Sequence, residues 1–168
     1  VLDIAKKVSQ YDVVTFQEVF SKDHRNSLTY AMSEKLPFHA GPSYGNKPLS
    51  SGVMIYSRWP IISSDTIVFS HCNDIDCAAA KGVSYAKINK YGKFYHIFST
   101  HLQAANGANF TNNTLVNKDD LARFKQIHEL KAFIDSKHIA KDEAVIISGD
   151  FNTEANNCTK EQSCDTFE

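Results

Sequence analysis

The segment VSYAKINKYGKFYHIFSTHL, residues 83–102, constrains the fold more than any other stretch. Two runs alternate apolar and polar residues on either side of a short polar turn from Asn89 to Gly92. A period of two marks strands whose opposite faces meet different surroundings. Two such runs joined by so tight a turn form an antiparallel hairpin. The rest of the chain must therefore pack against a sheet with long strands.

Other segments supply material for that packing. DVVTFQEVF (12–20), SGVMIYS (51–57) and IISSDTIVFS (61–70) predict strands, and AVIISG (144–149) predicts a last, buried strand. VLDIAKKVSQ sets Val1, Ile4, Ala5 and Val8 on one helical face. That helix has no cap and no lead-in, so an upstream segment is expected to have been removed. RNSLTYAMSEKL (25–36) predicts a helix stopped by Pro37. DDLARFKQIHELKAFIDSK (119–137) predicts a surface helix with Leu121, Phe124, Ile127, Leu130 or Lys131, and Ile134 on one stripe. HCNDIDCAAAKG and residues 104–117 are expected to be loops, and the polar tail after Asn152 lacks a periodic pattern. Hairpin strands with separate helices predict an α/β fold of antiparallel or mixed sheets. A length of 168 residues suits one domain.

Charge narrows the choice of partners. Eighteen basic against nineteen acidic residues leave a net charge of −1, which offers no global attraction for nucleic acid. No run approaches the roughly 20 apolar residues of a membrane span, and no secretory signal is present, so the chain is expected to be cytosolic or already processed. The cysteines stand at 72, 77, 158 and 164. Local pairing of Cys72 with Cys77 and of Cys158 with Cys164 is geometrically possible, beside free thiols or a zinc site whose usual spacing these gaps fit poorly. The sequons at Asn109, Asn112 and Asn157, with the cysteines, lean towards secretion.

Three apolar runs end in groups that a core does not bury without partners. The first ends in Gln17 and Glu18, the second in Thr100 and His101, the third in Asp150 and Asn152. Desolvating such groups is costly, so their convergence in one polar site is the simplest account. Glu18 is a hard anionic ligand suited to Mg²⁺ or Ca²⁺. His101 can donate a hydrogen bond or exchange a proton. Asp150 can orient water or hold a metal, and Asn152 can grip a phosphate oxygen. Their two-residue spacing puts both on one face of an extended chain, and Gly149 lets the backbone approach a ligand closely. A divalent metal, a histidine, a carboxylate and an amide fit the hydrolysis of a phosphate ester.

FQEVF, GVMIYSRWPI, FSTHLQA and ISGDFN, in that order, resemble the endonuclease/exonuclease/phosphatase superfamily with the DNase I-like fold. YDVVTFQEVF, SRWPI, KGVSYAKINKYGKFYHIFSTHLQA and FKQIHELKAFIDSKHIAKDEAVIISGDFN are similar, more narrowly, to secreted bacterial-type neutral sphingomyelinases. The resemblance runs from residue 1 to about 155. It implies two packed mixed sheets flanked by helices, and a Mg²⁺-dependent (or other divalent-cation-dependent) hydrolysis of sphingomyelin at a membrane surface to ceramide and phosphocholine. It implies that Glu18 is the central metal ligand, that His101 stabilises the phosphate charge, and that Asp150 and Asn152 bind phosphate and position water. Arg123 matches a family arginine and is expected to be structural.

Some family features have no counterpart in these residues. The family opens on a strand bearing an Asn and closes on an Asp-His pair whose His acts as general base. Residues 1–168 are therefore expected to form a single, partial phosphodiesterase domain, truncated at both ends. A family glycine pair stands here as Ser51-Gly52, a family cysteine after HLQA is missing, and no exposed aromatic hairpin for membrane docking is visible. A nuclease or phosphoinositide phosphatase of the same superfamily, or a non-catalytic binding module, remain the alternative expectations.

Overall fold

The computed structural model describes residues 2–105 and 118–153. The hairpin is its backbone: β5 (Gly82–Lys90) and β6 (Lys93–His101) pair antiparallel through the turn expected at Asn89 to Gly92. The Gly92 amide donates to Asn89 Oδ1 at 2.8 Å and closes that turn. On one side β4 (Ile61–Val68) extends the sheet antiparallel, and on the other β7 (Ala144–Asp150) joins parallel, giving the order β4-β5-β6-β7. A second, antiparallel sheet has the order β1-β3-β2, from β1 (Val13–Phe16), β2 (Phe38–Ala40) and β3 (Met54–Ser57).

The helices cover the outer faces. Helix α1 (Leu2–Val8) and α2 (Lys22–Met32) pack on the three-stranded sheet around Ala5, Leu28, Met32, Met54 and Tyr56. Helix α3 (Lys118–Asp135) packs on the four-stranded sheet around Tyr85, Phe98, Leu130 and Phe133. Between the sheets lie Ala40, Ile55, Ala86, Ile88 and Ile97. Period-two alternation explains this division: Tyr85 and Phe98 face α3, whereas Ala86 and Ile97 face the other sheet. The result is the two-sheet, helix-flanked DNase I-like sandwich that the resemblance implies.

Several local expectations are corrected. Helix α2 begins at Lys22, because the Ser21 hydroxyl accepts from the His24 amide and caps it, and it ends at Met32, ahead of Pro37. The short β2 and a 3₁₀ turn at Asp74–Ala78 lie where no strand or helix was expected. On α3, Leu121 and Phe124 are exposed, while Asp119, Ala122, Arg123, Gln126, Leu130 and Phe133 are buried. Strand β7 is not the buried strand its composition predicts: Val145, Ile146 and Ile147 are 43%, 48% and 45% exposed. It pairs with β6 alone among the described residues and stands at the sheet edge.

Candidate active site

His101 closes β6, and the parallel register sets Asp150, the last residue of β7, directly beside it. His101 Nε2 lies 3.9 Å from Asp150 Oδ2, and the ring is 2% exposed at the residue level. Burial holds the imidazole below its ordinary pKa of 6.5, and the nearby Lys81 charge adds to that effect. Asp150, Glu18 and Asp76 each pull in the opposite direction. The two carboxylates singled out in sequence, on β7 and after β1, thus both act on the same imidazole. His101 Nδ1 is buried without a hydrogen-bond partner among the described residues.

Asn152 reaches the same place by a different route from the one its spacing suggests. The extended chain stops at Asp150, and Asn152 adopts a left-handed backbone with φ 51°. Asp150 Oδ1 accepts from the Asn152 amide at 2.9 Å, an Asx turn that reverses the chain. The Asn152 carboxamide then donates to the Leu102 carbonyl at 2.9 Å, and the Leu102 amide donates to the Asp150 carbonyl at 2.9 Å. Gly149 makes the approach possible, since a Cβ there would stand 2.0 Å from the Thr100 carbonyl oxygen.

Glu18 lies beyond its strand rather than in it. Strand β1 ends at Phe16, and Gln17 Nε2 crosses between the sheets to Ser99 Oγ at 3.2 Å, on the face of β6 that carries His101. Glu18 follows in a left-handed conformation, φ 60°, and is exposed. The next amide, from Val19, donates to the Gly52 carbonyl at 3.0 Å. Gly52 is itself at φ 67°, and a Cβ on it would meet Phe20 and the Val19 amide at 2.9 Å. The Ser51-Gly52 step therefore seats the Glu18 loop.

Sequence reasoning missed the buried polar frame behind these residues. Lys81 is buried, and its ammonium donates to Asp76 Oδ2 at 2.7 Å and to the Leu102 carbonyl at 2.9 Å. Leu102 O thus accepts from both Lys81 and Asn152. Asp76 Oδ2 also receives the Ala104 amide at 2.6 Å. Gln103 is fully buried: its side chain accepts from Asn73 N at 2.8 Å and donates to Asp119 Oδ1 at 3.2 Å, while its amide donates to Gln126 Oε1 at 2.8 Å. Arg123 Nη1 donates to the Gln103 carbonyl at 2.8 Å and touches none of the four candidates. Cys72 and Cys77 form a disulfide that closes the loop carrying Asn73 and Asp76. Cys158, Cys164 and the three sequons lie outside the described residues. The only signal for Lys81 was a lysine at the head of an apolar strand, which could equally have been an exposed end.

The donor set can be tested against a divalent cation. Glu18 presents an exposed carboxylate, and among the described residues no three His, Cys, Asp or Glu side chains cluster. A lone hard carboxylate suits Mg²⁺, which keeps much of its water shell and relies on substrate phosphate for further ligands, and does not suit a closed zinc site. An apolar cavity of about 300 Å³ between the sheets, lined by Val13, Trp59, Ile88, Ile97 and Ile146 among others, includes none of the four candidates.

Comparison with known proteins decides the family. The model of the endonuclease/exonuclease/phosphatase family matches residues 1–158. The chain belongs to that family. Within the endonuclease/exonuclease/phosphatase family it is similar to sphingomyelinase C 2 of Leptospira interrogans serogroup Icterohaemorrhagiae serovar Lai (strain 56601). The two are 34% identical over 163 residues, covering 86% of this chain and 25% of that protein. It is 33% identical over 158 residues to sphingomyelinase C of Listeria ivanovii, covering 84% of this chain and 45% of the relative. Its fold superposes on a crystal structure of a beta toxin variant from Staphylococcus aureus with bound magnesium ions. There the TM-score is 0.79 at 27% identity, over 92% of this chain and 59% of the other. The chain thus spans less than half of these curated relatives and less than two thirds of that solved neighbour.

Proposed function

We propose that the chain carries the greater part of the active site of a Mg²⁺-dependent phosphodiesterase that hydrolyses sphingomyelin to ceramide and phosphocholine. The observation that carries the reading is the pairing of β6 with β7, which sets Asp150 Oδ2 3.9 Å from Nε2 of the buried His101, with the Glu18 charge acting on the same imidazole. The names of the relatives and the magnesium in the solved neighbour support the lipid and the cation.

In this reading Glu18 holds Mg²⁺, which when bound neutralises phosphate charge and lowers the pKa of water. His101, held neutral by its surroundings, donates a hydrogen bond to a non-bridging phosphate oxygen. Asp150 accepts a hydrogen bond from the attacking water and aligns its oxygen with phosphorus. Asn152 offers its carboxamide to the phosphate, while Leu102 and Lys81 fix the direction of that side chain. The water oxygen bonds to phosphorus as the bond from phosphorus to the ceramide oxygen breaks, and the ceramide oxygen leaves with a proton. The Cys72–Cys77 disulfide favours an oxidising, extracellular setting. Among the described residues no helix is long and apolar enough to cross a membrane.

The test is phosphocholine release from sphingomyelin vesicles by the full-length protein with and without Mg²⁺. Wild type is expected to release it only with the metal, and Glu18→Gln and His101→Ala are each expected to lose at least about 100-fold in kcat/KM. Full activity in both variants would remove the site assignment. Cleavage of plasmid DNA without lipid hydrolysis would return the nuclease reading.

A further inference from the structure

Glu18 occupies a backbone conformation that costs a residue with a side chain about 1–2 kcal/mol, so its surroundings must impose it. One restraint is the Gly52 carbonyl below Val19. The other comes from Arg25, in the first turns of α2. Its Nη1 donates to the Val19 carbonyl at 2.9 Å, the Phe20 carbonyl at 2.6 Å and the Ser50 hydroxyl at 3.1 Å. Its Nη2 donates to the Tyr44 hydroxyl at 3.1 Å, and the guanidinium lies 5.7 Å from the centre of the Tyr44 ring. One planar fork thereby joins three segments: the loop after β1, the first turns of α2, and the 44–50 stretch that leads into Gly52. None of these bonds reaches the Glu18 carboxylate, which is left exposed.

We propose that Arg25 is a positioning residue for Glu18: by gripping the two carbonyls that follow it, Arg25 holds the carboxylate in the orientation that binds a divalent cation. The role rests on the phosphodiesterase reading above. It follows from the shape of the guanidinium. Several donors in one rigid plane can satisfy adjacent carbonyls and two hydroxyls together, whereas a lysine ammonium at the same place is a point charge on a flexible stem. An unclamped loop would let Glu18 relax out of the left-handed region, and the carboxylate would swing with it. Partners behind a metal ligand commonly govern affinity as strongly as this, although they never touch the ion.

The experiment is calorimetric titration of Mg²⁺ into full-length wild type, Glu18→Gln, Arg25→Lys and Tyr44→Phe, at a temperature where circular dichroism shows each folded. Arg25→Lys is expected to weaken Mg²⁺ binding by roughly 10–100-fold while KM for lipid at saturating metal stays at the wild-type value. Tyr44→Phe, which removes only the outer bond, is expected to bind as wild type does. A structural staple would lower the melting temperature of Arg25→Lys and leave its Mg²⁺ affinity unchanged, and that result overturns the proposal. Should Arg25→Lys prove too unstable to titrate, the rise in its melting temperature on adding Mg²⁺ is read instead, and a rise equal to that of wild type overturns the proposal equally. A wild type that binds no Mg²⁺, or a Glu18→Gln that binds normally, sinks the metal reading itself and is distinguishable from failure of the Arg25 role alone.

Discussion

His101 connects the site to stability through its proton. Its folded pKa lies below 6.5 because burial disfavours the imidazolium, and Lys81 adds to the effect against Asp150, Glu18 and Asp76. As pH falls, the unfolded chain therefore takes up this proton before the folded one does. Stability linked to His101 is complete above pH 6.5 and declines as pH drops from there through the folded value. Denaturant unfolding between pH 7.5 and pH 5 is expected to show a decline that is shallower in His101→Gln than in wild type. The chain has seven histidines, so the difference between the two proteins is the informative quantity. Equal slopes would mean that His101 is protonated as readily folded as unfolded, and that its surroundings do not hold it neutral.

At the level of elements, the parallel contact of β6 with β7 sets the distance between His101 and Asp150. Gly149→Ala would force a Cβ to 2.0 Å from the Thr100 carbonyl oxygen in a backbone at φ 146°. The strands must separate, at a cost of at least about 2 kcal/mol, and Asp150 moves away from His101 with them. Gly92→Ala is the control: it is also at positive φ, but nothing stands within 4 Å of its new Cβ and it lies at the hairpin turn. Unfolding and activity measured together should show Gly149→Ala losing both and Gly92→Ala losing only some stability. Wild-type activity in Gly149→Ala would show that this strand contact does not set the site. Elements with strong local signals were legible: the hairpin carries its own period and turn, and of the candidates proposed from three strand ends, His101 and Asp150 do close β6 and β7 side by side, whereas Glu18 and Asn152 lie just beyond their strands. What stayed hidden depended on partners distant in sequence. The inner face of α3 includes Asp119, Arg123 and Gln126, which bind around Gln103, so apolar periodicity pointed to exposed Leu121 and Phe124 instead. Lys81 looked like a surface lysine because its partners, Asp76 and the Leu102 carbonyl, meet it only in the folded chain. The apolar run of β7 signalled burial, but among the described residues only β6 pairs with it, and Val145, Ile146 and Ile147 stay partly exposed.

At the scale of the molecule, charge separates the proposed lipid chemistry from nuclease chemistry within one family. A protein that grips a nucleic-acid backbone neutralises several phosphates, and its binding falls steeply with salt as counterions are released. This chain carries a net charge of −1. Three buried or half-buried cations behind its candidate site are already engaged: Lys81 with Asp76 and Leu102, Arg25 with carbonyls and hydroxyls, Arg123 with Gln103 and Asp120. A zwitterionic phosphocholine headgroup presents a single phosphate and needs no such basic track. Sphingomyelin hydrolysis at fixed Mg²⁺ is therefore expected to change by less than about threefold between 50 and 200 mM salt, whereas a protein with six or more phosphate contacts would lose about a thousandfold in affinity over that range. Initial rates on neutral vesicles and on plasmid DNA across this series measure the difference. A steep, salt-sensitive DNA cleavage would show that the site recruits a polyanion, and the lipid assignment would fall with it.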